Sequence, residues 1–165
     1  MEYLFFICIN SLSRLIPHLP NMTSVGAMAL FLSAKYSWKK SFVITFATMM
    51  ISDMVLGFHG VMWATYGSFF IATILGNMLQ KKTTRMWMVG VTIISSLQFF
   101  IITNFAVWMS GVLYPKTLSG LLDCYIMALP FFRNTLLGDL FYTAIFFGCF
   151  EFVKAFQQKN TVSLV

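Results

Sequence analysis

The amino-acid sequence predicts an all-α, polytopic membrane protein, and three observations support this fold class. Hydrophobic residues make up 59% of the chain and charged residues only 10%. A soluble domain is closer to half apolar and a quarter charged, so the excess apolar residues are expected to contact lipid. The mean hydropathy is +0.81, and the apolar residues fall into six long segments. We interpret residues 1–165 as a single integral membrane domain.

Six transmembrane helices are predicted, at about residues 3–15, 23–36, 41–58, 61–79, 86–108 and 134–156. A spanning helix needs about 20 residues, so the first two segments are short. We expect them to lean on neighbouring helices or to thin the bilayer locally. The first segment has Glu2 before it instead of a basic region, and no small-residue cleavage site follows it. It is therefore interpreted as a retained helix and not as a signal peptide.

Residues 117–129 are predicted to form a short interfacial helix between the fifth and sixth segments. Apolar residues recur there at helical spacing, at Leu118, Leu121, Leu122, Tyr125, Ile126 and Leu129. Pro115 and Pro130 bracket this stretch. Because proline disfavours a helix interior, the stretch is read as a separate, partly inserted helix and not as part of a span.

The basic residues predict the orientation of the six spans. One side of the membrane would carry Lys35, Lys39, Lys40, Lys81, Lys82, Arg85, Lys154 and Lys159. The other side would carry Arg14, Lys116 and Arg133. Cytoplasmic loops are enriched in lysine and arginine, so both termini are predicted to lie in the cytoplasm. We therefore expect a multi-pass protein of a bacterial cytoplasmic (inner) membrane.

Several function classes lack support in the sequence. The net charge of +6 comes from residues at segment ends, without the basic and aromatic array of a nucleic-acid-binding protein. Cys8, Cys124 and Cys149 lack metal-ligand or CxxC spacing, and we interpret them as small apolar side chains. Hydrolase and nucleotide-binding motifs are not found. We therefore predict a protein that is not an enzyme and has no metal, cofactor or nucleic-acid partner.

Two aspartates lie inside apolar segments, Asp53 in MMISDMVLGFHG and Asp139 in NTLLGDLFYTAIFF. A carboxylate at membrane depth costs several kcal/mol unless it faces a bundle interior or water, and it is interpreted by default as functional. The predicted topology places each aspartate about 7–8 Å from the outer end of its helix. Tyr66 and Asn104 are expected at the same level. These four side chains predict a pocket that opens outward and is closed toward the cytoplasm.

The full set of predicted ligand-binding residues adds the outer loops and helix ends to this layer. It comprises Asp53, His59, Tyr66, Asn104, Trp108, Arg133, Asn134, Asp139, His18 and Asn21. Structural explanations exist for several of them. Asp139 lies near a helix N-terminus and could pair with Arg133, whereas Asp53 has neither explanation. His59 could be an exposed loop residue, His18 could cap a turn, and the aromatic residues could be interfacial belt residues.

Small residues form a second pattern. The second segment carries Gly26, Ala27, Ala29, Ser33 and Ala34, and the fourth carries the ladder Ser68, Ala72 and Gly76. Small residues allow close helix approach, either inside the bundle or against a helix of a partner protein. We therefore consider the second segment both an internal packing surface and a candidate partner-docking surface.

The chain resembles a bacterial family of uncharacterised transport proteins. The resemblance rests on SRLIPHLPNMTSVGAMALF, ISDMVLGFHG, YGSFFIATILGNML, TNFAVW and LYPKTLSGLLDCYIMALPFFRNTLLGDLFYTAIFFG, and it covers about residues 13–152. The order of features is also similar to the substrate-binding S-components of energy-coupling-factor vitamin transporters. In those proteins a small-residue helix, here GAMALFLSAKYSWKK, precedes a helix ending near an acidic residue, here ISDMVLG.

The resemblance to S-components implies a function in uptake. It implies a six-helix bundle with an outward-facing pocket that captures a small, vitamin-like molecule, without covalent chemistry. A transmembrane coupling subunit with a pair of ATPases would supply the energy, and the second segment and first helix would contact it. The alternatives are a proton- or cation-coupled secondary transporter, a structural membrane subunit, and a small membrane enzyme acting on lipid-linked substrates.

Overall fold

The computed structural model describes residues 2–81 and 84–162, with side chains described for residues 3–81 and 84–158. Within these ranges all regular structure is helical, as predicted. The α-helices are α1 Glu2–Leu15, α2 Val25–Lys35, α3 Trp38–Leu56, α4 Met62–Asn77, α5 Arg85–Ser110 and α6 Leu118–Val162. A 3-10 turn, Met78–Gln80, follows α4. The bounds of α1 to α5 agree with the predicted segments to within three residues.

Helices that follow one another in the sequence alternate in direction. Side-chain contacts pair Phe42 with Phe70 and Phe46 with Tyr66 between α3 and α4, and Thr92 with Thr143 and Ile101 with Tyr125 between α5 and α6. These pairs run in opposite chain directions, so each of the two helix pairs is antiparallel. In contrast, α2 runs parallel to α6, because Gly26 meets Asp139 and Lys35 meets Glu151. The loops at residues 16–24, 57–61 and 111–117 therefore share one end of the bundle, called the upper end below.

Helix α2 lies at the centre of the bundle. Nine consecutive residues of α2, 25–33, are buried, and α3, α4, α5 and α6 all contact it. An amphipathic helix buries one stripe only, so burial on every side requires neighbours on every side. The small residues of α2 and α4 permit this enclosure. A Cβ atom added to Gly76 would lie 2.8 Å from the Leu30 backbone, which shows how closely α4 approaches α2.

The predicted partner-docking surface on the second segment is therefore wrong. Of the five residues proposed for it, Gly26, Ala27, Ala29 and Ser33 are buried and Ala34 is partly buried. The small side chains bring neighbouring helices of the same chain onto α2, which is the internal packing alternative. Ser33 adds a hydrogen bond to this packing, because its hydroxyl donates to the carbonyl of Thr73 in α4. An outside helix has no access to these residues.

The polarity of the molecule is unlike that of a soluble protein. Its surface carries many large apolar side chains, such as Met54, Val55 and Phe152, which are 73%, 70% and 74% exposed. The buried set contains as many polar as apolar residues, with serine and threonine frequent among them. Large contiguous apolar surfaces are rare on soluble monomers. Two helices, Arg85–Ser110 and Leu118–Gln158, are long and apolar enough to cross a membrane.

Helix α6 differs from its prediction. Residues 117–129 and 134–156 were expected to be separate elements divided at Pro130, but α6 continues through Pro130 as a 45-residue helix. Proline removes one backbone hydrogen bond and crowds the carbonyl four residues earlier. Proline is nevertheless tolerated inside membrane helices when neighbouring groups support the backbone. Here α5 packs along both sides of the proline: the Tyr125 hydroxyl donates to the Ile101 carbonyl before it, and Ser96 reaches Asp139 after it.

The two ends of the bundle are packed differently. The lower half holds an apolar core around Phe31, Leu32, Ile44, Leu79 and Phe147. Phe31 meets Phe147 edge to face with ring centroids 5.2 Å apart, and Lys35 covers this cluster with its ammonium 3.8 Å from the Phe150 ring centroid. The upper half contains most of the polar side chains discussed below. The lower half also holds a second cavity, of about 610 Å³, which lies between α5 and α6 and is lined by residues such as Arg85, Leu140 and Glu151.

Candidate functional site

A cavity of about 480 Å³ lies in the upper half of the bundle. The loop between α1 and α2 contributes His18, Asn21 and Thr23 to its lining, and the loop between α3 and α4 contributes His59 and Val61. All six helices contribute to the walls, with most of the wall residues in α4, α5 and α6. Since His18, Asn21 and His59 are exposed, the cavity reaches the surface between these two loops. Its size is that of a small-molecule site.

Five phenylalanines from three helices line much of the wall: Phe69, Phe99, Phe100, Phe131 and Phe132. Phe69 and Phe99 join α4 to α5 with ring centroids 5.2 Å apart. Phe100 and Phe132 join α5 to α6 with centroids 4.8 Å apart. Rings packed in this way offer large flat apolar surfaces that favour an aromatic ligand.

Arg14 is the basic residue of the cavity wall, and three neighbours hold it. Its Nη2 lies 2.8 Å from Oδ1 of Asp53, and its Nη1 donates to the Ser52 hydroxyl and to the Met49 carbonyl. The Tyr66 hydroxyl donates to the other carboxylate oxygen of Asp53 over 2.8 Å. Asp53 is 2% exposed and does not line the cavity. The carboxylate thus supports Arg14 from behind, and Arg14 faces the cavity.

Asp139 occupies the N-terminal end of the central helix. The N-cap residue of α2, Ser24, makes no side-chain capping bond and donates instead to the Asn10 side chain over 2.5 Å. The Asp139 carboxylate accepts hydrogen bonds from the backbone N–H of Ala27 and from the Ser96 hydroxyl, the latter over 2.7 Å. The first N–H groups of a helix have no intrahelical acceptor and favour an anion. Asp139 therefore caps α2 from a different helix.

This capping depends on Gly26. A Cβ atom added at Gly26 would lie 2.5 Å from Oδ1 of Asp139, a distance that real Cβ contacts do not show. Only a residue without a side chain lets the carboxylate reach the helix end. The predicted pairing of Asp139 with Arg133 is wrong, because Arg133 is exposed and Asp139 takes its hydrogen bonds from α2 and α5. The predicted contrast with Asp53 is also wrong, since Asp53 has a basic partner in Arg14.

Two amide side chains of α5 belong to the polar lining. Asn104 donates from Nδ2 to the carbonyl of Phe100 over 2.8 Å. Gln98 donates from Nε2 to the carbonyl of Ser68 in α4 over 3.0 Å. The Oε1 atom of Gln98 is buried and has no hydrogen-bond partner among the described residues. Both side chains are neutral and are fixed at one end by a backbone carbonyl.

Five of the predicted ligand-binding residues line the cavity: His18, Asn21, His59, Asn104 and Asp139. The other five, Asp53, Tyr66, Trp108, Arg133 and Asn134, are not part of the lining. Asn134 donates to the Pro20 carbonyl over 3.1 Å and anchors the loop between α1 and α2. The Trp108 indole N–H is shared by the carbonyls of Pro115 and Thr117, so Trp108 holds the turn between α5 and α6. These two residues shape the upper loops.

Sequence analysis missed Arg14, Gln98 and the phenylalanine walls as site residues. Arg14 was assigned only to orientation, although a basic residue near the outer end of the first segment is a natural partner for Asp53 at the outer end of the third. That signal could have identified the pair. The sequence does not reveal which side of its helix a phenylalanine faces, because nearly every side of these helices is apolar.

The described residues include no group of three or more His, Cys, Asp and Glu side chains that could hold a metal ion. Cys8 and Cys149 are exposed, and Cys124 is buried with its thiol 3.4 Å from the carbonyl of Asn104. The cavity lining offers hydrogen-bonding side chains and aromatic rings.

Residues 1–161 match a protein family described as a family of unknown function, DUF6580. No curated protein and no solved structure shows significant similarity to the chain. The resemblance to S-components of energy-coupling-factor transporters stays a prediction.

Proposed function

We propose that this chain, which belongs to DUF6580, a family of unknown function, is a six-span membrane protein that binds a small molecule for uptake. The observation that carries the proposal is the cavity of about 480 Å³ at the upper end of the bundle. An apolar core lies beneath it, and the second cavity, between α5 and α6 at the lower end, is lined by different residues. A cavity that opens at the upper end and rests on an apolar core is what a substrate-capturing protein requires.

The distribution of basic residues supports an outward-facing cavity. Lys35, Lys39, Lys40, Lys81, Arg85 and Lys154 belong to the lower end, whereas Arg14, Lys116 and Arg133 belong to the upper half. Lys82 and the side chain of Lys159 lie outside the described residues. Lysine and arginine concentrate on the cytoplasmic side, so in a bacterial inner membrane the lower end and both termini would face the cytoplasm. The exposed apolar helix surfaces support six spans.

Capture by a substrate-binding subunit, with energy from a separate ATPase module, agrees best with these features. A secondary transporter would need Asp53 or Asp139 to exchange protons or cations. Asp53 is already paired with Arg14, and Asp139 caps α2, so each carboxylate has a fixed structural role. A purely structural subunit would have no use for an aromatic cavity. Since α2 is enclosed, a coupling subunit would have to dock on another surface, such as the exposed apolar side of α1.

Binding by the purified protein tests the proposal. The protein would be purified in lipid nanodiscs, and small molecules released on denaturation would be identified by mass spectrometry and then titrated back. Replacing Phe132, a cavity residue, by alanine should weaken binding about tenfold through lost ring contacts. Phe152→Ala is the matched control, because Phe152 is 74% exposed on the lower part of α6.

Three results would contradict the proposal or a part of it. Equal affinity in the Phe132→Ala and Phe152→Ala variants would place binding outside the cavity. A protein that releases no small molecule, and that binds none from a metabolite library, would favour the structural alternative. Uptake in cells that survives removal of ATPase partners but stops with an uncoupler would favour the secondary transporter.

A further inference from the structure

We infer that the cavity selects a planar ligand without negative charge, which presents a hydrogen-bond acceptor to Arg14 and a donor to Asp139. The inference rests on the proposed small-molecule site and narrows its substrate class. It depends on the surroundings of the two charged residues of the wall.

The charge of Arg14 is balanced inside the protein. Asp53 lies 2.8 Å from the guanidinium and is itself buried behind it. A guanidinium has five N–H donors, and the contacts to Asp53, Ser52 and Met49 use three of them. Arg14 therefore offers further donors to the cavity without needing an anion there. A carbonyl oxygen or ring nitrogen is a sufficient partner.

Asp139 has no basic side chain as an ion-pair partner among the described residues. Its carboxylate lies against the N-terminus of α2, where the helix dipole and the Ala27 N–H offset part of the cost of burying a negative charge. A carboxylate has about four acceptor positions, and the contacts to Ala27 and Ser96 use two. Asp139 therefore has acceptor capacity left for a ligand N–H or O–H, and it disfavours an anionic ligand.

The remaining polar lining is neutral or close to the mouth. Asn104 and Gln98 carry no charge, and His18 donates its Nδ1–H to the carbonyl of Ile16 at the exposed rim. Burying an anion against such a lining would be costly, since Arg14 is already paired with Asp53 and Asp139 is itself a carboxylate. The five phenylalanines favour a flat ring system. A heteroaromatic compound with both a carbonyl and an N–H group meets every requirement.

Four matched bicyclic probes test this inference with the full-length protein in nanodiscs. 2-Quinolone carries an adjacent N–H and carbonyl and is neutral. N-methyl-2-quinolone keeps the acceptor and loses the donor. Quinoline-2-carboxylate has a similar ring system with a negative charge, and naphthalene has no hydrogen-bonding group. Affinities would be measured by saturation-transfer NMR titration, which detects weak binding.

We expect 2-quinolone to bind at least about tenfold more tightly than each of the other three probes. Arg14→Gln should reduce its affinity by about tenfold, with N-methyl-2-quinolone affected equally, because both present the carbonyl. Asp139→Asn should lower the affinity for 2-quinolone and leave the affinity for N-methyl-2-quinolone unchanged. Arg133→Gln is the matched control, since it removes an exposed charge near the same end without touching the cavity. Size-exclusion profiles would confirm that each variant is folded.

The possible failures are distinguishable. If quinoline-2-carboxylate binds as tightly as 2-quinolone, charge selection is wrong, although the cavity remains a small-molecule site. If naphthalene binds equally well, the assigned roles of Arg14 and Asp139 are wrong, again without loss of the proposed function. If no probe binds to the wild-type protein and none displaces a co-purified molecule, both the inference and the small-molecule site are overturned.

Discussion

Arg14 and Asp53 form an ion pair in which the carboxylate is almost fully buried. Removing one member of a buried pair strands the other charge, which commonly costs about 3–5 kcal/mol. Asp53→Asn should therefore lower the free energy of unfolding by about that amount, measured by denaturant titration in mild detergent. Asp123→Asn, at an exposed carboxylate of α6, should change it by no more than about 0.5 kcal/mol.

A double variant separates stranded charge from lost packing. Arg14→Gln combined with Asp53→Asn removes both charges and should recover part of the stability lost in Asp53→Asn. If the double variant loses more unfolding free energy than the two single variants lose in sum, the cost does not come from an unpaired arginine. If Asp53→Asn is as stable as the Asp123→Asn control, the ion pair contributes nothing measurable.

Gly26 allows the contact between Asp139 and the N-terminus of α2. In Gly26→Ala, the new methyl group would have to displace the carboxylate, and overpacking of this kind typically costs about 1–3 kcal/mol. Thermal unfolding in detergent should show this loss. Gly67→Ala is the matched control, since a Cβ atom at Gly67 meets nothing within 4 Å; helix propensity predicts a gain of up to about 1 kcal/mol there. A loss in Gly67→Ala as large as in Gly26→Ala would contradict the explanation.

At the scale of single residues, the sequence identified which residues are unusual but not what they contact. Asp53 and Asp139 were singled out because charge is rare in apolar segments, and the structure places both in the upper half of the bundle. Their partners could not be predicted reliably. The N-terminus of α2 as a partner of Asp139 depends on how α6 lies beside α2, and nothing in the local sequence of either helix specifies that packing.

Helix α4 contacts α2 through Gly76. A Cβ atom there would lie 2.7 Å from the Cβ of Ser33 and 2.8 Å from both Cα and O of Leu30. Since backbone atoms cannot rotate away, Gly76→Ala must separate the two helices and should destabilise the protein more than Gly26→Ala, which meets a side chain. Gly90→Ala in α5 has open space and serves as the control in the same thermal unfolding assay. Equal stability of the Gly76→Ala and Gly90→Ala variants would show that α2 and α4 are packed less tightly than the structure indicates.

Helix existence was predictable because long apolar segments leave few alternatives to helices in a chain of this composition. The predicted break at Pro130 failed because a local rule about proline competes with tertiary support from α5. The role of α2 was only partly predictable. Its small residues indicated close packing, but the same pattern is compatible with an internal or an external neighbour, and only the arrangement of the other helices distinguishes the two.

Orientation is a property of the whole molecule, and impermeant thiol reagents can test it. In a variant without the three native cysteines, Lys116→Cys should react in intact spheroplasts, because its loop belongs to the upper end. Lys81→Cys, equally exposed but at the lower end, should react only after the membrane is permeabilised. The reverse labelling pattern would show that the cavity faces the cytoplasm. Reaction of both sites in intact spheroplasts would contradict the six-span topology.

The enclosure of α2 also bears on how the chain enters a bilayer. An 11-residue helix extends about 16–17 Å, roughly half the hydrocarbon thickness. It cannot span alone, and its polar contacts, such as the hydrogen bond from the Ser41 hydroxyl to the Ala29 carbonyl, form only in the assembled bundle. Under the proposed six-span topology, insertion would therefore be concerted: α2 would remain beside α1 until α3 to α6 have emerged from the ribosome and packed around it. The last helix to be synthesised, which carries Asp139, caps the second and completes assembly.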